Sequence, residues 1–95
     1  MNPELDIQAD FIKALANPVR LALLQYLEGG SKSASELVDL SGLSKANLSQ
    51  HINMMKKEGL VNCDKQGRFC YYSISDQRLL AALELLSDVR RTRIR

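Results

Sequence analysis

One stretch limits what this chain can fold into more than any other: Leu43 to Leu60, LSKANLSQHINMMKKEGL. Both of its ends read as helix ends. Ser44 is an N-cap residue, and Gly59 stands where helices close on a left-handed residue. Between them, Leu48, Ile52 and Met55 recur at i, i+4 and i+7, which predicts one buried stripe. The other side carries Lys45, Asn47, Ser49, Gln50 and Asn53. An ordinary solvated helix face is richer in Glu and Lys. Asn and Gln pair in bidentate fashion with adenine edges, Ser reaches bases or phosphates, and Lys reaches guanine or phosphate. Such a face suits a DNA major groove; a merely solvated helix is the plain alternative.

The preceding segments read as helices that this one packs against. Residues 4–15 form a first helix with Leu5, Ala9 and Ile12 in one stripe, widened by Phe11 and Leu15. So broad an apolar arc has more to bury than one small domain offers, which predicts a subunit interface. Asn17-Pro18 interrupts the chain, because proline suits a first helical turn and disfavours helix in the residue before it. A second helix follows from Pro18 to about Leu27, apolar nearly all round and so central. Val19, Leu23 and Tyr26 form its stripe, Leu24 and Leu27 flank it, and Gly29-Gly30 ends it. Ser33 to Ser41 is a short helix with Ser33 as cap, Glu36 as capping-box partner, and Leu37 and Leu40 facing inward. With the turn at Gly42, this short helix and the polar-faced one make a helix-turn-helix.

After Gly59 the period becomes two. Leu60–Asp64 and Phe69–Ile74 are strand-like, joined through Lys65-Gln66-Gly67-Arg68. With Gln66-Gly67 as a two-residue loop, Val61 faces Tyr72 and Cys63 faces Cys70. A hairpin directly after the polar-faced helix is the wing of a winged helix. Ser75 then caps a last helix striped by Leu79, Leu83 and Leu86, ending in the basic tail RRTRIR. That tail suits a solvated helix end favoured by the macrodipole, or added phosphate contacts. The fold class is therefore mainly α with a small β-hairpin: one domain over 1–95, with five helices and a two-stranded wing.

Charge is unevenly spread. Residues 1–43 hold three basic and six acidic side chains, residues 44–75 five and two, and the last twenty five and three. The positive part thus coincides with the polar-faced helix and hairpin, where phosphate neutralisation is wanted. At 95 residues a monomer core is marginal, so association is expected. The acidic N-terminus lacks a continuous apolar region, which predicts no export signal, and no run approaches the length of a membrane span. With two cysteines, this places the chain in a reducing cytoplasm with no membrane partner.

ALANPVRLALLQYL, then SASELVDLSGLSKANLSQHINMMKKEGLV, then QGRFCYYSI resemble the ArsR/SmtB family of bacterial and archaeal winged-helix repressors. The likeness covers about residues 8 to 88 through four separated motifs: NPVR, LSxxxLSQH, the GLV after it, and GRxxYY. It implies a homodimer paired through residues 4–15 and 76–90. It also implies binding of a palindromic double-stranded DNA operator, with release on meeting an inducer. Lys45, Asn47, Ser49, Gln50 and His51 then occupy recognition-helix positions, with Ser44 at its start and Asn53 further along. Lys65, Gln66 and Arg68 lie at or near the wing tip, against phosphate or the minor groove. Metalloid-sensing members carry Cys-x-Cys where this chain has Ser33 and Ser35, which cannot bind As(III) or Cd(II) as thiolates do. Zinc-sensing members use Asp and His on the last helix, where this chain has Asp76, Glu84 and Asp88 but no His. No metal or cofactor is expected.

Two residue types remain. His51 without a nearby Cys or second His makes a poor ligand set, so DNA contact or structure is its expected role. Cys63 and Cys70 read either as small buried hydrophobes or as a dithiol that oxidises, distorts the wing and weakens DNA binding. Directly opposed positions would bring their Cα atoms to roughly 5.5 Å, and a disulfide is within reach there. Two thiolates cannot complete a tetrahedral zinc site, so a redox pair is the sharper reading. No phosphate loop, His–carboxylate set or nucleophile–base set points to an enzyme. The rival is a winged helix used for protein–protein docking, which would show apolar anchors on its outer face.

Overall fold

Side-chain caps set the helix starts. Residues 2–93 are described by a computed structural model with five helices and three strands. α1 (Pro3–Leu15) starts at Asn2, whose side chain accepts the Glu4 N–H at 2.9 Å. α2 (Pro18–Tyr26) starts at Asn17, extended as a residue before proline must be, with its amide oxygen accepting Val19 and Arg20 N–H. β1 (Lys32–Ser33) leads into α3 (Ala34–Ser41). There the capping box is complete: Ser33 Oγ accepts the Glu36 N–H and Glu36 Oε1 accepts the Ser33 N–H. Those bonds hold the Glu36 carboxyl below its ordinary pKa. Gly42 closes α3 at φ 74°.

α4 (Lys45–Lys57) begins on Ser44, whose Oγ accepts the Asn47 N–H at 3.1 Å. It ends as a Schellman motif: Gly59 has φ 79°, its N–H donates to Lys56 O, and the Leu60 N–H donates to Met55 O at 2.8 Å. Leu48, Ile52 and Met55 are buried, as the spacing predicts. They join Ala14, Leu23, Leu24, Leu27, Leu37, Leu60, Val61 and Ile74 in one core. Leu40 does not: it is exposed, and Val38 packs against the core in its place.

β2 (Val61–Gln66) and β3 (Phe69–Ile74) form the wing, and β1 pairs with the other edge of β3, giving a three-stranded antiparallel sheet in the order β1-β3-β2. The wing register differs from the one predicted. Val61 pairs with Ile74, Cys63 with Tyr72 and Lys65 with Cys70, a shift of two residues. The loop is Gly67-Arg68 rather than Gln66-Gly67. Gly67 has φ 67°, and among the described residues no non-glycine residue has positive φ. A type I′ loop at Gln66-Gly67 would need positive φ at glutamine. Glycine in the first loop position meets the demand of a type II′ turn instead.

α5 (Arg78–Arg93) follows, capped one residue later than predicted. Asp76 Oδ1 accepts the Arg78 N–H, while Ser75 Oγ donates to Gly59 O at 2.6 Å and ties the end of the wing to the end of α4. Only Leu79, Leu80 and Leu83 of α5 pack on the core; the helix then projects, with Leu85, Leu86 and Val89 exposed. The radius of gyration is 14.4 Å, against about 12 Å for a compact domain of this length. α1 shows the same projection through Leu5, Ile7 and Ile12. The basic tail is helical to Arg93; Ile94 and Arg95 lie outside the described residues. Among the described residues no helix is long and apolar enough to cross a membrane.

Candidate nucleic-acid interface

Because Leu48, Ile52 and Met55 turn one side of α4 to the core, helical geometry turns Gln50 and Asn53 outward, with Asn47 and Ser49 flanking them. Lys45, Asn47, Ser49, Gln50 and Asn53 are all exposed. None of the five side chains has a hydrogen-bond partner among the described residues. Met54, also exposed, adds an apolar group that the sequence reading left out; it lines a shallow depression with Asp10, Lys13 and Lys57.

The wing supplies a second, separate group. Lys65, Gln66 and Arg68 are exposed around the Gly67 turn. Gln66 Nε2 donates to Asp64 Oδ2 at 3.1 Å, which leaves Lys65 and Arg68 as the tip's free cations among the described residues. Further down, Cys63 and Cys70 are half-buried and diagonal rather than opposed, because each faces a different residue across the ladder. Two-residue offsets keep both on one face. Their Cα atoms are 5.9 Å apart and their sulfurs are joined, within an unbroken ladder.

His51 sits at the edge of the buried stripe, half-buried, and is held by a residue that periodicity does not single out. Arg20 Nη1 donates to His51 Nδ1 at 3.3 Å, Arg20 Nε donates to Ala14 O at 2.6 Å, and Nη2 donates to Lys13 O at 3.3 Å. One guanidinium thus caps the C-terminal end of α1 and touches α4. Its only trace in the sequence is the arginine of NPVR, two residues after the helix-starting proline.

The positions that the resemblance matches to metal ligands make bonds within the chain instead. Ser33 is the cap of α3. On α5, Asp76 pairs with Arg78 at 2.7 Å, and Asp88 with Arg91 at 2.6 Å, with Glu84 near the same arginine. The Arg78 hydrogen bonds lower the Asp76 carboxyl to about 2.

A short helix, a tight turn, a polar-faced second helix and a β-hairpin immediately after it define a winged helix-turn-helix protein. The family of helix-turn-helix domains matches residues 15–64. Nodulation protein NolR of Rhizobium meliloti is 35% identical over 86 residues, 90% of this chain and 70% of its own. The HTH-type transcriptional regulator YgaV of Escherichia coli is 35% identical over 82 residues, 85% of this chain and 83% of its own. The solution structure of a homodimeric winged helix-turn-helix DNA-binding domain from Mycobacterium bovis, a possible ArsR-family regulator, superposes with a TM-score of 0.85. It is 27% identical, over 98% of this chain and 86% of that one. The chain belongs to the ArsR/SmtB family of winged helix-turn-helix regulators, and it is a DNA-binding transcriptional regulator of the repressor type.

Proposed function

We propose that the chain represses transcription as a homodimer. Two copies of α4 enter successive major grooves on one side of a palindromic operator, about one helical turn (roughly 34 Å) apart. α1 and α5 form the isologous interface between the subunits. Gln50, Asn53 and Asn47 read base edges, with Lys45 and Ser49 beside them. Ser44, His51, Lys65, Gln66 and Arg68 hold phosphates. The observation that supports this most is the exposed, unpaired amide and hydroxyl face of α4. Burying that face against another protein would strand five hydrogen-bonding side chains, whereas base edges and phosphates satisfy them.

Base reading and phosphate holding separate by mutation. Gln50→Ala is expected to cost about 1–3 kcal/mol on the preferred operator and to flatten the difference between operator variants. Arg68→Ala should weaken all sequences alike and reduce the log–log salt slope by about 0.9. Electrophoretic shifts on the DNA upstream of the protein's own gene, repeated across salt, read both. Uniform loss in Gln50→Ala would remove Gln50 from the base-reading set. A complex indifferent to salt would favour the protein-docking alternative.

The wing cysteines give a second handle, on release. The two sulfurs are within bonding reach across the wing, and the reading is that joining them distorts the wing and weakens its hold on DNA. Oxidation joins the two sulfurs while two protons and two electrons pass to an azo oxidant such as diamide, which becomes a hydrazine. The diamide-treated protein should then bind DNA a few-fold more weakly than the dithiothreitol-treated one. Cys70→Ser should sit at the reduced value under both treatments. Equal affinity of the oxidised and reduced wild type would reduce the pair to packing.

A further inference from the structure

Arg20 and His51 meet across 31 residues of sequence, at the point where the end of α1, the start of α2 and the middle of α4 converge. A guanidinium has five donors, no acceptor, and stays protonated in proteins. The atom it approaches must therefore accept, so Nδ1 of His51 carries no proton. A ring with a bare Nδ1 is the neutral tautomer with its hydrogen on Nε2. That second nitrogen has no protein partner among the described residues, yet it is not buried. It is an open donor on the flank of the helix that carries Asn47 and Gln50.

Arg20 itself cannot drift. Nε and Nη2 are held by the carbonyls of Ala14 and Lys13 in the last turn of α1, the Lys13 carbonyl also accepting the Ala16 N–H at 3.1 Å. A cation there is also favoured by the negative end of the helix dipole. The guanidinium is thus fixed by α1 and in turn fixes the ring on α4.

We propose that Arg20 is a positioning residue for DNA binding: by donating to Nδ1 it locks His51 as the Nε2–H tautomer, which then donates to a backbone phosphate oxygen. The contact is neutral, so it adds affinity without releasing a counterion, unlike those of Lys65 and Arg68. It also joins the dimerisation helix α1 to the recognition helix through one side chain. The proposal rests on the reading of α4 as the DNA-contacting helix, but its first test needs no DNA.

His51 is the only histidine in the chain, so a long-range proton–nitrogen correlation spectrum of labelled protein above neutral pH shows one imidazole. The expected wild-type spectrum has an unprotonated Nδ1 and a protonated Nε2. In Arg20→Gln and Arg20→Lys, which cannot offer the same fork, the two tautomers should mix. A wild-type ring with its proton on Nδ1, or an unchanged tautomer in both variants, overturns the proposal whether or not the chain binds DNA. The second test is DNA affinity. His51→Asn keeps an acceptor for Arg20 but loses the outward donor. It should weaken binding about tenfold, equally across sequences and with an unchanged salt slope. The Arg20→Gln/His51→Asn double variant should bind no worse than His51→Asn alone, because Arg20 acts through the ring. Additive losses would make Arg20 a merely structural residue. Melting curves of each variant confirm that binding is compared between folded proteins, and Arg20→Lys replaces Arg20→Gln if the latter unfolds.

Discussion

Leu86→Asp is expected to convert a two-chain particle into single chains and to lower operator affinity by about a hundredfold or more. Leu86 is 64% exposed on the part of α5 that projects beyond the core, with Leu85 and Val89 beside it. On α1, Ile7 is equally exposed, and Leu5 and Ile12 stand with it. An apolar patch of this kind on a small domain marks an interface. At a two-fold interface every substitution occurs twice, so each dimer must bury two carboxylates that have no cationic partner. The loss on DNA is larger than any single contact would give. One subunit holds the other at high effective concentration over the second half-site, an advantage of about 10²–10⁴. Leu86 belongs to neither the core nor α4, so the monomer should keep its helical circular dichroism. Sedimentation and a shift assay check both halves of the expectation. A Leu86→Asp protein that sediments as an unaltered dimer would move the interface off α5.

How far the sequence led depends on whether a feature is local. The α4 stripe, its serine cap, its glycine terminus and the α3 capping box are written within four residues of one another. Each follows from one rule of helix geometry. The wing register is also local, yet one glycine admits two loops. Gln66-Gly67 and Gly67-Arg68 differ only in where the positive φ falls, and that choice moves every cross-strand pair by two. It moved the cysteines from opposed to diagonal while keeping them on one face, which is why their proximity survived the error. β1 was illegible for a different reason: two residues cannot show alternation, and Lys32–Ser33 are a strand only because β3 has an open edge. Leu40 matched the helical period on α3 but has no neighbour to cover it. Ser75 resembled a cap, but the wing's end brings its hydroxyl to Gly59, and Asp76 took the cap. The Arg20–His51 contact joins residues that no periodicity relates. Only the fold brings them together.

Leu60→Ala is expected to be the most damaging of the simple truncations, at about 2–5 kcal/mol. Leu60 is 0% exposed and follows the left-handed Gly59, the position whose side chain completes a Schellman motif by packing on the last turn of its helix. Its backbone is bonded on both sides: the N–H to Met55 O, and the carbonyl to the Ser75 N–H at 3.0 Å. One residue therefore joins the end of the recognition helix, the start of β2 and the exit from β3. Truncating it leaves a cavity at that joint, where those hydrogen bonds oppose collapse. A domain of this size changes its melting midpoint by about 4–8 °C per kcal/mol, so a midpoint at least roughly 10 °C lower is expected. Leu40→Ala, which removes the same atoms from an exposed site, should stay within about 0.5 kcal/mol. Thermal denaturation of the two variants, each as dimer at one concentration, makes the comparison. Equal costs for Leu60→Ala and Leu40→Ala would mean that the wing is aligned by something other than this residue.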